Sequence, residues 1–394
     1  GYYDSTETWQ YTDADNLTTE GLNFTVSSTT TNLTLNFTFQ SNNTDGYTFY
    51  TPILSNLTIE YSPGPPSGDT TPSDINFTDP TPTNASSQIN NDIYVNVSAE
   101  DAASNVSTFI DFDDSLLGWW RMDELDGDVV IDYAGKNNLT NFSSYQLSDG
   151  ALGKSFNISS GNLTSSSAIM DNVTNVSFGG WIKWYSLSPN DDYPIHQARE
   201  NGSGHKIVAD DFGGLYCSDG INPGQYYAIL THTWYHVICV YNATSIALYV
   251  DGEIRDTTVV AGGTELVDNV PLVIGNLNGS YQFNGEIDDV MVFNRSLLAE
   301  EIANLYANQT SKYLEVNFTD LSNKSYNFKA YAQDIAGNVN ETEIRTVEIE
   351  YSVITIVYPE SLTYNYSVAN INYTFTDNDP DKCWYSTDNG LTNS

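Results

Sequence analysis

Carboxylates are the side chains in this chain most able to do chemistry. Asp123, Glu124, Asp126, Asp128 and Asp132 crowd one short stretch, and Glu286, Asp288 and Asp289 stand together far downstream. A Ca²⁺ ion takes about six to eight oxygens, carboxylates and backbone carbonyls among them, so convergence of the two groups would make a cation site. The alternative is a solvated acidic turn plus a hydrogen-bonded strand aspartate. Histidines offer less. His196, His205, His232 and His236 fall in one segment, and His232 and His236 share a face of a regular strand, but nothing in the spacing supplies a third zinc ligand. Aromatic rings are the remaining resource. Trp119, Trp120, Tyr185, Tyr193, Tyr226 and Tyr227 could form a platform for sugar rings, or simply core and rim.

The elements that must hold these residues are strands. The chain has 394 residues, 40% of them hydrophobic and 13% aromatic, with 28 Tyr. That is apolar surface enough for real cores and too long a chain for one β-domain; about three or four are expected. Lys and Arg number 13 against 51 Asp and Glu, for a net charge of −38. The scarcity is in the basic residues, and such a surface repels nucleic acid and anionic lipid. No apolar run approaches the roughly 18 residues of a membrane span, so any membrane anchor is expected to lie outside this sequence. The start at Gly1, without a signal segment, is what a processed product or a fragment would show.

Sequons are dense: about 26 Asn-x-Ser/Thr sites, roughly one per 15 residues. They begin at Asn16, Asn23, Asn32, Asn36, Asn42 and Asn56, continue through Asn76, Asn84, Asn96, Asn105, Asn138, Asn141, Asn157, Asn162, Asn172 and Asn175, and go on to Asn201, Asn242, Asn278, Asn294 and Asn308 before Asn317, Asn323, Asn340, Asn365 and Asn372. Leu33, Leu35, Phe37 and Phe39 alternate inward, which turns Asn32 and Asn36 outward; the same alternation turns Asn96, Asn317 and Asn372 outward. Sequons that face solvent predict heavy N-glycosylation and an extracellular, cell-surface location.

Residues 233–257, TWYHVICVYNATSIALYVDGEIRDT, read as strand, turn, strand and an Asp251-Gly252 hairpin turn. Residues 271–308 read as strand, turn, strand and one short helix. The order Trp234-x-His236, Tyr249-Val-Asp-Gly252, Gly285-x-Ile-Asp288 and Leu297-x-x-Glu-Glu-Ile302 closely resembles the laminin-G-like members of the concanavalin A-like lectin/glucanase superfamily. The resemblance covers about half the chain and identifies a fold better than a ligand. LLGWWRMDELDGDVVIDYAGKNN at 116–138 resembles the family's opening strand and acidic turn. FGGWIKWYSL at 178–187 resembles its central strand, with Trp181 and Lys183 on one side. Asp334-Ile-Ala-Gly337-Asn338 resembles a turn of bacterial and archaeal immunoglobulin-like surface domains.

The expected fold is therefore all-β: a laminin-G-like jelly-roll sandwich plus immunoglobulin-like β-sandwiches, with one short helix. An N-terminal sandwich-like domain occupies 1–62, and a Pro-rich, semi-rigid linker occupies 63–73. An immunoglobulin-like domain split into 74–112 and 312–351 hosts the laminin-G-like domain, 113–311, in one hairpin; two unrelated β pieces are the alternative. Residues 352–394 begin a further, incomplete immunoglobulin-like domain that would expose apolar edges.

The resemblance implies more. Superfamily members often carry Ca²⁺, for which Glu124, Asp132 and Asp288 are the best candidates. Glu286-Ile-Asp288 resembles the start of a glucanase catalytic strand, Glu-x-Asp-x-x-Glu with a bulge, but the last carboxylate falls at Val292 or its neighbour Met291. Without it neither double displacement nor inversion proceeds. His236 matches a structural strand position. Cys217 and Cys239 fall on strands of one sandwich and are expected to pair, with two buried thiols as the alternative; Cys383 is left over. The helix loses the family's Ser cap at Leu298, keeps Glu301 at its third position, and is expected to fray at its start unless Ser296 caps it. The sum is a non-enzymatic adhesin or filament subunit, archaeal or bacterial in style. It would associate head-to-tail by strand complementation or contact other surface proteins; a glycan-binding arm of a larger anchored protein is the alternative.

Overall fold

Alternation sets the strands. In Asn284–Phe293, Ile287, Val290 and Val292 turn into a core while Glu286, Asp288, Met291 and Phe293 turn outward. A bulge at Asp289 (φ 45°) keeps the two sets in phase. The facing position is Gly180, where a Cβ would lie 2.8 Å from the Asp288 carbonyl oxygen and 2.9 Å from that of Asp289. Only glycine lets the bulge close.

This computed structural model describes residues 69–376 except 143, 200–202, 223, 225, 261–268, 277–280, 282, 351–352, 361, 367 and 369, together with 2–3 and 9–10. Residues 1–64 and 65–394 are separate compact units. In the first, Tyr2–Tyr3 pairs antiparallel with Trp9–Gln10. Most of the expected 1–62 domain, the sequons at Asn16, Asn23, Asn32, Asn36, Asn42, Asn56, Asn201 and Asn278, and Cys383 lie outside the described residues.

In the second unit the larger sandwich has two antiparallel eight-stranded sheets. One runs Ser144–Asp149, Lys154–Ser160, Asn284–Phe293, Val176–Ser186, Trp234–Tyr241, Ser245–Val250, Glu253–Val259, with Leu116–Trp120 on the far half of Asn284–Phe293. The other runs Tyr227–Ala228, Gly214–Ser218, Gly204–Ala209, Ile195–Ala198, Val273–Gly275, Asn162–Ser165, Leu139–Asn141, Val129–Val130. Trp120, Phe156, Phe178, Trp184 and Ile287 fill the space between them. Cys217 of one sheet and Cys239 of the other are joined by a disulfide, Cα–Cα 5.8 Å.

A smaller sandwich draws strands from both sides of the larger one in sequence. Asp74–Thr78, Ile93–Glu100 and Ser311–Phe318 form one sheet; Val106–Phe112, Ser325–Asp334, Val339–Glu341, Arg345–Ile349 and Ser86–Gln88 form the other. Val95, Val97, Ile110, Leu314, Phe328 and Val347 make its core. The two sandwiches share a third core, in which Phe109 and Tyr331 meet Trp119, Met291, Phe293 and the helix residues Ile302 and Leu305. Phe109 stacks on Tyr331 (centroids 5.0 Å) and meets Trp119 edge-on at 5.0 Å. Beyond them Val353–Tyr358 pairs only with Asn372–Thr376 among the described residues, leaving Ile354, Ile356, Tyr373 and Phe375 between 45% and 61% exposed.

The helix Ala299–Leu305 does not fray at its start. Glu301 accepts the Leu298 N–H at 2.9 Å, and Arg295 fixes the carboxylate with two bonds of 2.6 and 2.7 Å. Leu298 has no side-chain polar atom, so the cap consists of the Glu301 half alone. Ser296 is turned to the Tyr241 carbonyl instead. Among the described residues no helix is long and apolar enough to cross a membrane.

Candidate functional site

The outer face of the sheet containing Asn284–Phe293 has two unlike halves. One is apolar and covered: Ile238, Val240, Met291 and Phe293 lie under the helix and under Phe109 and Tyr331. The other carries Ser148, Lys183, Tyr185, Trp234 and Glu286, with Trp234 at its border, packed against the cluster of Leu152, Trp181, Ala307 and Ile335.

Glu286 is the hub of the polar half. It ion-pairs with Lys183, accepts the Tyr185 hydroxyl, and accepts Ser148 Oγ at 2.8 Å. Its side chain is 4% exposed, against 18% for Lys183. Lys183 Nζ sits 4.6 Å from the Trp234 ring centroid and 5.9 Å from that of Tyr185, so two rings flank the ammonium. Tyr185 stacks on exposed His232 at 5.4 Å, and Asn157 Nδ2 lies 3.5 Å from its hydroxyl. Burial first, then the bond to Glu286 and its charge, raise the Tyr185 pKa, so this phenol stays a donor. The half-sheet thus offers an acid, an ammonium, hydroxyls and two half-buried rings on one surface.

Asp288 and Asp289 follow on the same strand but lie under the covered half. They fall where Lys154–Ser160 ends its pairing and Leu116–Trp120 begins. Asp288 accepts the Leu152 N–H at 2.9 Å, and its other oxygen has no partner. Asp289 accepts Trp119 Nε1 at 2.7 Å and Gln333 Nε2 at 2.9 Å, bridging the sandwiches. Burial pushes both carboxyls up, that of Asp289 to about 7, with Arg121 opposing. Past the bulge the next outward position is Met291, buried beneath the helix, so this face holds no further carboxylate at that spacing.

Strand order, disulfide-linked sheets, the Gly285-x-Ile-Asp strand and the closing helix belong to one fold. Residues 157–303 match the concanavalin A-like lectin/glucanases superfamily, in its Laminin_G_3 family. Solved structures similar to the chain include a Trypanosoma rangeli sialidase, 16% identical with a TM-score of 0.40, where the match covers 49% of this chain and 33% of that one. Domain 4 of AbnA, a GH43 extracellular arabinanase from Geobacillus stearothermophilus solved with arabinotriose, is 16% identical over 49% of this chain and 98% of that one, TM-score 0.41. The binding domain of Paraclostridial Mosquitocidal Protein 1 is 18% identical over 49% and 52%, TM-score 0.39. The chain therefore spans about a third of the sialidase's length. No curated protein sequence matches it.

Several expected sites of the concanavalin A-like domain are not assembled. Glu124, Asp132 and Asp288 are not among the carboxylates that the fold brings within reach of one shared ion. Both oxygens of Asp132 are spent on backbone N–H groups, those of Trp119, Ala134, Lys136 and Asn137, while Glu124 is exposed and Asp288 buried. This donor set does not fit Ca²⁺. Among the described residues the one carboxylate group within reach of a shared ion is Asp69, Asp101 and Asp334, oxygens within 4.8 Å. Asp101 and Asp334 are already engaged by their own turns, at the Ser104 N–H and at Asn338. The histidines scatter: His236 lies against Trp181, His205 against Tyr241, His196 against Tyr193.

The aromatic candidates also divide. Trp119 and Trp120 are core residues, Tyr185 is on the polar half-sheet, and Tyr193 and Tyr226 are on the opposite sheet with Tyr216 and Tyr281. The amide nitrogens of the sequon residues Asn96, Asn162 and Asn340 are engaged within the fold. Asn96 is on the expected outer face but is covered there, 5% exposed, its Nδ2 near the Asp79 carbonyl and Tyr313 hydroxyl. Asn162 Nδ2 donates to the Asn276 carbonyl and Asn340 Nδ2 to that of Ser73. The sequence singled out Lys183 and Glu286 separately. Trp234 and Ser148 were missed as site residues, because strand neighbours distant in sequence carry no local signal.

Proposed function

We propose that this is an extracellular, N-glycosylated surface protein of bacterial or archaeal style whose concanavalin A-like domain binds carbohydrate. One observation carries the reading: one half of that sheet face bears Lys183, Glu286, Tyr185, Ser148 and Trp234 in mutual polar and ring contact, where the other half is an apolar core. A sugar presents hydroxyls that both donate and accept, with C–H faces between them. An acid–ammonium pair with ring walls matches that alternation. The family match of residues 157–303 supports the same reading. Binding is favoured over turnover because Met291 occupies the place of a further carboxylate. The disulfide and the sequon density favour an oxidising, extracellular setting.

A glycan array probed with the intact chain should return a defined set of saccharides. Glu286→Gln should weaken them about tenfold to a hundredfold, the value of a charge-assisted hydrogen bond. An array without ligands, or binding indifferent to Glu286→Gln, sinks the proposal. It also requires sequon Asn157 to be bare, since a glycan there would lie over Tyr185.

A second reading rests on the exposed ribbon of Val353–Tyr358 and Asn372–Thr376. Its uncovered Ile354, Ile356, Tyr373 and Phe375 suit strands from the N-terminal region of another copy, a head-to-tail contact that builds a fibre. Electron microscopy should then show filaments that vanish when residues 1–62 are deleted; filaments persisting after that deletion exclude this version.

A further inference from the structure

At the seam of the two sandwiches lies a shallow cavity of about 340 Å³, open to solvent, and a sequon asparagine stands in its wall. Phe112, Phe318 and Tyr326 of the smaller sandwich line one side; Asn294 and Arg295 of the larger line the other, with Asp113 also in the wall. The volume sits at the low end of the roughly 300–1,000 Å³ typical of ligand sites, enough for about one or two sugar rings. Asn294 is exposed, and its N–H is fixed to the Ser115 carbonyl at 2.9 Å, so the chain holds this residue in one place. It differs from Asn96, Asn162 and Asn340, whose amide nitrogens are engaged within the fold. The wall is mixed in the way saccharides need: rings that pack against C–H groups, with a carboxylate and hydroxyls beside them. Arg295 already crosses the seam here, reaching the Ile110 carbonyl at 3.1 Å from its anchor on Glu301.

We infer that this cavity is the seat of the proximal sugars of a glycan attached to Asn294, which clamps the larger sandwich to the smaller. The inference rests on the glycoprotein part of the reading above and is independent of the carbohydrate-binding half-sheet. The bound saccharide is the chain's own, not a free ligand.

The test compares Asn294→Gln with Asn76→Gln, an exposed sequon that does not line the cavity, in the intact chain made with and without glycosylation. Glycopeptide mass spectrometry should find sugar on Asn294. Asn294→Gln should lower the Tm of the glycosylated protein by about 2–4 °C. It should leave the unglycosylated protein unchanged, and Asn76→Gln should change neither. An equal Tm despite an occupied Asn294 overturns the inference. A bare Asn294 among occupied sequons also overturns it while leaving the glycoprotein reading intact. Bare asparagines throughout overturn both. A free sugar that raises the Tm of the unglycosylated protein to the glycosylated value would show a ligand pocket and contradict the attached-glycan assignment.

Discussion

Asp289 joins two sandwiches with one carboxylate, and that has a cost with a definite sign. Its pKa is raised to about 7, by burial first, while Arg121 and the bonds from Trp119 and Gln333 oppose. A carboxyl raised on folding favours the folded state while protonated. Its contribution is complete below the unfolded value near 4 and is lost as pH rises through about 7, by at most about 1.4 kcal/mol per pH unit. Urea unfolding at pH 5 and pH 8 therefore holds a difference in favour of pH 5 from Asp289, opposed by the buried His196 and His236, whose pKa values burial lowers. Asp289→Asn should shrink that difference, because Gln333 Oε1 has no partner and can accept from the new amide after a flip. An unchanged pH difference would contradict this. At the same scale the sequence was only partly legible. Alternation placed Asn96 on its correct face, but Tyr313 and the chain around Asp79 cover it, and those contacts come from strands far away in sequence. The acidic cluster around Asp132 suggests a metal ligand. The role of Asp132, closing its loop through backbone N–H groups, depends on geometry that residue type does not encode.

Strands were the most legible elements, since inward Val, Ile and Phe at every second position leave little freedom. In Val106–Phe112, Val106, Ile110 and Phe112 turn into the core of the smaller sandwich while Phe109 between them turns to the junction. Ser86–Gln88 was not anticipated; it is short, polar and pairs parallel with Arg345–Ile349 through tertiary contacts alone. Between the sheets of the larger sandwich the one covalent tie is Cys217–Cys239, closing a loop of sequence separation 22. Loop-closure entropy puts its value at about 3 kcal/mol. Unfolding free energies extrapolated from denaturant curves with and without reductant should differ by that amount, and the Cys217→Ala/Cys239→Ala variant should be insensitive to reductant. A reductant effect that persists in the variant would place the relevant thiol chemistry elsewhere.

At the scale of the second unit, the shared core of Phe109, Trp119, Met291, Phe293 and Tyr331 makes the larger and smaller sandwiches one mechanical body. The turn at Asp334–Asn338 strengthens this: Arg121 donates to the Gly337 carbonyl, and Gly153 N–H to that of Ile335 at 3.0 Å. A Cβ on Gly337, already at φ 87°, would come within 2.9 Å of Gly153 Cα. Calorimetry should show the two sandwiches melting in a single transition, with Phe109→Ala lowering it as a whole by about 3–5 kcal/mol; two transitions, one unmoved, would mean independent bodies. The sequence displayed the strands of both sandwiches but not which half of a sheet face the junction would cover, and the polar half is what the functional reading depends on. Hydroxyl-radical footprinting of the intact chain, with and without its strongest array saccharide, tests that most directly. A saccharide bound on this half-sheet protects Trp234 and Tyr185 and leaves Tyr216 and Tyr226 unchanged; protection confined to Tyr216 and Tyr226 would contradict binding there.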